Sequence, residues 1–184
     1  MHSRSPGAEL AGTLLRVSVG STMIAHGLKH ARSLHGTAGW FESIGFRKPK
    51  LQARLSAVVE IGAGAALIAG AATPLSASAV VGTMAVAARS VHIPNGFFIT
   101  AEGWEYVAAL GVSSVAIGAL GGGQFSVDRA LGFDRHLCGG RGAAIALGAG
   151  LAGAAAQLAI FWRSPKPSTS PSSSPDPSRT AVKT

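Results

Sequence analysis

Five stretches of apolar and small residues, separated by short polar segments, divide the chain. The first covers residues 9–29 and is interrupted by Arg16. The second, residues 51–72, carries one acid, Glu60. Residues 74–91 and 102–120 form the third and fourth, and residues 143–162 the fifth, ending on Phe161-Trp162. Each approaches the roughly 20 residues that a helix needs to cross a bilayer. The pattern predicts an all-α polytopic membrane helix bundle of four or five transmembrane helices. Thr73-Pro74-Leu75 leaves room only for a tight turn, so the second and third helices are expected to be antiparallel neighbours. Gly62, Ala66 and Gly70 recur every four residues, a small-residue seam suited to close helix crossing. The expected parts are a lead at 1–8, a membrane domain at 9–128, a polar connector at 129–142, the fifth helix at 143–162 and a tail at 163–184. The tail is basic and rich in Pro and Ser, and is expected to be disordered.

The polar segments carry their own signals. Between the first two helices, Trp40, Phe41 and Ile44 alternate with Lys and Arg. Two readings fit: a short amphipathic turn in the headgroup layer, or a plain connecting loop. Between the third and fourth lies a polar knot holding Arg89, His92, Pro94-Asn95-Gly96, Glu102 and Glu105. Its Gly, Pro and Asn predict a reversal of direction. Gly121-Gly122-Gly123 has neither a following Gly-Lys-Ser/Thr nor a preceding strand, so it reads as a helix end and turn and not as a phosphate loop.

Composition sharpens the class. Of 184 residues 47% are hydrophobic and 13% charged, with a mean hydropathy of +0.35; soluble domains carry roughly 25% charge. The net charge is +8 and the pI near 10.9. The basic residues flank apolar spans, which points to anionic headgroups and the positive-inside rule and argues against nucleic acid as a partner. With five spans, eleven Lys and Arg fall on the side of the first loop, the knot and the tail, against four opposite. This places the tail in the cytoplasm. Arg16 breaks what would otherwise resemble a cleavable leader, so the first span is expected to be retained. Cys138 is the single cysteine, which excludes an intramolecular disulfide and a Cys-x-x-Cys couple.

Candidate chemistry rests on ionisable residues within or beside the spans: Arg16, His26, Lys29, Glu60, His92 and Glu105. Such residues are costly in lipid and usually face a protein interior, a cavity or the headgroups. Arg16 reads as inward and paired or as snorkelling, and Lys29 and His30 as snorkelling at the interface. Glu60 reads as an ion-pair member, a ligand or proton site, or a lipid-edge residue, with Arg16, His26 or Lys29 as its expected partner. Glu102 and Glu105 suit the positive end of a helix, with paired carboxylates for proton work as the alternative. No metal site and no intrinsic cofactor is expected.

Taken in order, these features resemble the DoxX family of small bacterial membrane proteins. The resemblance is carried by Ala25-His26-Gly27-Leu28-Lys29, Gly39-Trp40-Phe41 with Ile44-Gly45-Phe46, and Glu60-Ile61-Gly62-Ala63-Gly64 closing on Thr73-Pro74-Leu75. It continues through Met84, His92-Ile93-Pro94-Asn95-Gly96-Phe97-Phe98, Glu105-Tyr106 and Phe125-Ser126-Val127-Asp128. It spans residues 14–128; the fifth helix and the tail depart from the family's four-helix unit. The resemblance implies a multi-pass protein of the bacterial cell membrane that serves as a quinone- or lipid-binding subunit of a membrane oxidoreductase or of an oxidative-stress and thiol system. Quinone is the one cofactor it implies, and a membrane or soluble redox protein, or a second copy of the chain, the partner. Two alternatives stand beside this: a non-enzymatic scaffold docking a soluble redox protein, and a small transporter or proton pathway. The residues leave open whether the protein is an enzyme.

Overall fold

A computed structural model describes residues 5–133 and 137–165. Seven α-helices follow in order: α1 (Pro6–Arg32), α2 (Leu34–Ser43), α3 (Pro49–Ala69), α4 (Thr73–Ala87), α5 (Glu105–Leu120), α6 (Val127–Ala130) and α7 (Gly139–Phe161). No strand occurs among the described residues. The fold is an all-α membrane helix bundle. α3, the helical stretch Thr73–Asn95 and α7 are each long and apolar enough to cross a bilayer. α1 has the length but carries Arg16, and α5 is apolar but has 16 residues, about 24 Å at 1.5 Å per residue.

Glycine sets how closely the long helices approach. α1 and α3 pack antiparallel through Gly20 against Gly64 and Gly27 against Ala57 and Ile61. A methyl at Gly64 would fall 2.5 Å from the Gly20 carbonyl oxygen. The expected seam of Gly62, Ala66 and Gly70 is therefore displaced. Gly62 is exposed with open space around it, and Gly70 meets the Arg16 guanidinium and the Ser126 side chain and not the backbone of a crossing helix. Each residue turns the helix by about 100°, so Gly64, two positions from Gly62, lies on a different face. α7 docks by the same means, with Gly150 against Ser78 and Val81 of α4 and Gly142 against Gly118 of α5.

The core has two parts. Val19, Met23, Leu67, Val80, Ile117 and Ala146 join α1, α3, α4, α5 and α7 at mid-bundle. Phe41, Phe46, Ala53, Val86 and Ala154 close the end where α2 lies. Between Arg32 and Pro49 the structure forms a helix, α2, and not a plain loop. It buries Thr37, Ala38 and Phe41 and leaves Trp40 exposed, the amphipathic arrangement of an interfacial segment. Leu10, Leu14, Val58 and Val112 stay exposed on the long helices, the surface that a bilayer covers.

The C-terminal end of α7 is fastened to the α2–α3 connection. The Arg47 amide donates to the Phe161 carbonyl (2.7 Å), the Arg163 amide to that of Gly45 (3.0 Å), and the Trp162 indole N–H to that of Ile44 (2.8 Å). The first loop, the knot after α4 and the start of the tail thus share one end of the bundle, the basic end. The tail from residue 166 onward and the lead before residue 5 lie outside the described residues.

Candidate functional site

The six residues singled out by sequence fall in three separate places. At the end opposite α2, Arg16 is 2% exposed. Its guanidinium donates to the carbonyls of Phe125 (3.1 Å) and Leu67 (3.5 Å) and lies against Gly70, whose φ of +64° and lack of a side chain make the space. Beside it, buried Asp128 accepts from the amides of Ala72 (2.6 Å) and Thr73 (2.8 Å). These are among the orphan N–H groups at the start of α4. Arg16 and Asp128 therefore bind the ends of α3 and α5 to the start of α4. Neither reaches Glu60.

Glu60 sits near the basic end, 4% exposed. Its expected partners were Arg16, His26 or Lys29; the structure supplies His30 and Ser56. The Ser56 hydroxyl donates to Glu60 Oε1 (2.6 Å), His30 Nδ1 lies 2.7 Å from the same hydroxyl, and His30 Nδ1 stands 3.4 Å from Glu60 Oε2. The His30 ring packs 6.4 Å from both Trp40 and Phe41, so α2 covers the cluster. His30 is less exposed than a snorkelling side chain would be, at 20%. Lys29 and His26 do point outward, and His26 faces the Tyr106 ring at 6.3 Å. Phase along α1 explains the difference: Gly27 contacts α3, and His30 follows it three residues on, on the same face.

His92 and Glu105 belong to the knot. A π-helical turn at Ala88–His92 adds a residue to the local repeat and turns His92 away from the face of Met84 and Ala88 that an unbroken helix predicts. The His92 Nδ1–H donates to the Glu102 carbonyl (2.6 Å) and Glu105 Oε2 accepts from the Ile99 amide (3.0 Å). Glu102 lies before the start of α5 with φ +60°, so of the two acids expected at the positive end of that helix only Glu105 stands in its first turn. Phe97 packs edge-on against Trp104. The knot is held together by these contacts, to which Glu105 contributes its carboxylate and Glu102 its backbone carbonyl.

A groove of about 580 Å³ runs between α4, α5 and α7, walled by Met84, Ala88, Trp104, Ala108, Gly111 and Leu151. None of the six candidate residues lines it. Val112, Leu147 and Leu151 on its walls are exposed, so it opens sideways toward lipid. Ser56 and Asp128 carried no strong signal as site residues in the sequence. The Gln157 amide donating to Gln52 Oε1 (2.9 Å) across α7 and α3 is likewise non-local. No group of three or more His, Cys, Asp or Glu able to hold a metal occurs among the described residues.

Residues 11–93 match the family model described as DoxX. The match takes in α1 to α4 and stops inside the knot, short of the 14–128 stretch suggested by the sequence motifs, so α5 and α7 lie beyond it. No curated protein and no solved structure matches the chain.

Proposed function

We propose, from the match of residues 11–93 to the DoxX family model, that the chain is a DoxX-family membrane protein that binds a quinone- or lipid-like amphiphile as a subunit of a membrane oxidoreductase system. The supporting observation is the groove between α4, α5 and α7. Its volume, about 580 Å³, falls within the roughly 300–1,000 Å³ of small-molecule sites. Its walls are apolar apart from the indole of Trp104, placed beside the knot at the basic end. An isoprenoid or acyl chain fits that lining, and its headgroup lies toward Trp104. The sideways opening lets such a molecule enter from the bilayer without crossing water. In this reading the protein lies in the cell membrane with its basic end in the cytoplasm.

A variant retaining Trp104 alone (Trp40→Phe, Trp162→Phe), in nanodiscs, tests the proposal. A short-chain benzoquinone quenches Trp104 saturably. Gly111→Leu fills the groove, since a methyl at Gly111 meets only Met84 Cβ, at 3.9 Å, and it removes the saturable phase. Quenching that rises linearly with quinone and is the same in both proteins overturns the reading.

A further inference from the structure

We infer that His30, Ser56 and Glu60 form a proton relay between the aqueous interface at the basic end and a carboxyl buried among α1, α2 and α3. This does not depend on the groove, whose walls include none of the three residues.

A single hydroxyl stands between an acid and an imidazole, at 2.6 Å from Glu60 Oε1 and 2.7 Å from His30 Nδ1. A serine hydroxyl has one proton to donate, so the protonation of the other two groups is correlated through it. In one arrangement Nδ1–H donates to Ser56 Oγ, and Ser56 O–H donates to the Glu60 carboxylate. In the other, protonated Oε1 donates to Ser56 Oγ and Ser56 O–H donates to bare Nδ1. With Nε2 first taking a proton from water, so that His30 is an imidazolium, a concerted shift converts the first into the second: Nδ1–H breaks, the hydroxyl accepts that proton, its own proton passes to Oε1, and His30 is left neutral with its proton on Nε2. One proton moves from His30 to Glu60, the hydroxyl ends as it began, and no electrons transfer.

The surroundings give this exchange a direction. The His30 side chain is 20% exposed and that of Glu60 5%, so His30 meets water and Glu60 does not. Glu60 Oε2 is buried and makes no hydrogen bond, its nearest ionisable atom being His30 Nδ1 at 3.4 Å, beyond the roughly 2.7–3.2 Å of a good hydrogen bond. Oε2 is left as an acceptor for a hydroxyl-bearing headgroup or a water. The charged and titratable neighbours are His26, Lys29 and Arg32 on α1, His35 and Glu42 on α2, and Lys50 and Arg54 on α3. All are exposed. α4 contributes none, and Arg89, in the turn just after it, lies over Trp162.

Infrared spectroscopy of the full chain in nanodiscs, with carbon-13-labelled glutamate and a pH jump, reads the Glu60 carboxyl directly, with Glu60→Gln identifying its band. Ser56→Ala is expected to slow proton exchange at Glu60 by about 100-fold, the usual order for losing a positioned proton-transfer group. Ser56→Thr keeps the hydroxyl and the rate. His30→Gln, which cannot carry the proton, slows it as Ser56→Ala does and serves as a second variant should the latter fail to fold. Exchange as fast in Ser56→Ala and His30→Gln as in wild type overturns the relay.

Discussion

The Arg89 guanidinium lies over the Trp162 ring, 4.7 Å from its centroid. Arg89 sits at the end of the segment matched by the family model and Trp162 at the end of α7, outside it. The contact therefore ties α7 to the segment matched by the family model at the basic end. It acts together with the indole hydrogen bond to Ile44 and the backbone pairing of residues 45–47 with 161–163. α7 is an integral wall of the bundle, and the proposed groove exists only because of it.

Trp162 should reveal how strongly α7 is held. Trp162→Phe keeps a ring for Arg89 but leaves the Ile44 carbonyl without its indole donor, at a cost of about 1 kcal/mol. Trp162→Ala also removes the cation–π contact and apolar packing, for roughly 2–4 kcal/mol. Thermal unfolding in mild detergent, following the two variants side by side, checks the order. Equal midpoints in all three proteins would mean that the end of α7 is not fastened there.

Asp128 is expected to matter more than any surface acid. It accepts two amide hydrogen bonds at the start of α4 while buried. Each charge-assisted bond contributes about 1.5–3 kcal/mol, so Asp128→Ala should cost roughly 3 kcal/mol or more. Asp128→Asn, with one acceptor oxygen left, should cost about half as much. Equilibrium unfolding in a denaturing detergent measures both. A neutral Asp128→Ala contradicts the capping role.

Two glycines two residues apart on α3 should behave oppositely. Gly64→Ala drives a methyl toward the Gly20 carbonyl at 2.5 Å and should cost about 1–3 kcal/mol as α1 and α3 part. Gly62→Ala meets nothing within 4 Å and should be neutral or stabilise by up to about 1 kcal/mol through helix propensity. The same unfolding assay distinguishes them, and a larger loss for Gly62→Ala would show that the crossing lies elsewhere.

The contrast between Gly62 and Gly64 also shows where sequence reading stops. Helices, their antiparallel order and the reversal at Pro94-Asn95-Gly96 are encoded locally, in apolar runs and turn residues. The face that a helix presents is decided by its neighbours, and a shift of two residues moves the seam from Gly62 to Gly64. Glu60 shows the same limit: the sequence offers Arg16, His26 or Lys29 as its partner, and the structure supplies His30, four residues from His26 on α1. Asp128 is a third case. Its role depends on amides 55 and 56 residues away, and the available hint was indirect. The Ala72-Thr73-Pro74 start of α4 has no capping side chain of its own, so a remote acceptor was needed.

Native mass spectrometry of the protein released from nanodiscs tests the central claim most directly. Wild type is predicted to carry a discrete quinone- or lipid-sized mass that survives delipidation. Gly111→Leu should lower its occupancy at least about tenfold, equivalent to about 1.4 kcal/mol of binding, while remaining folded. A wild-type protein that emerges bare, or equal occupancy in the two proteins, would contradict a ligand in the groove between α4, α5 and α7.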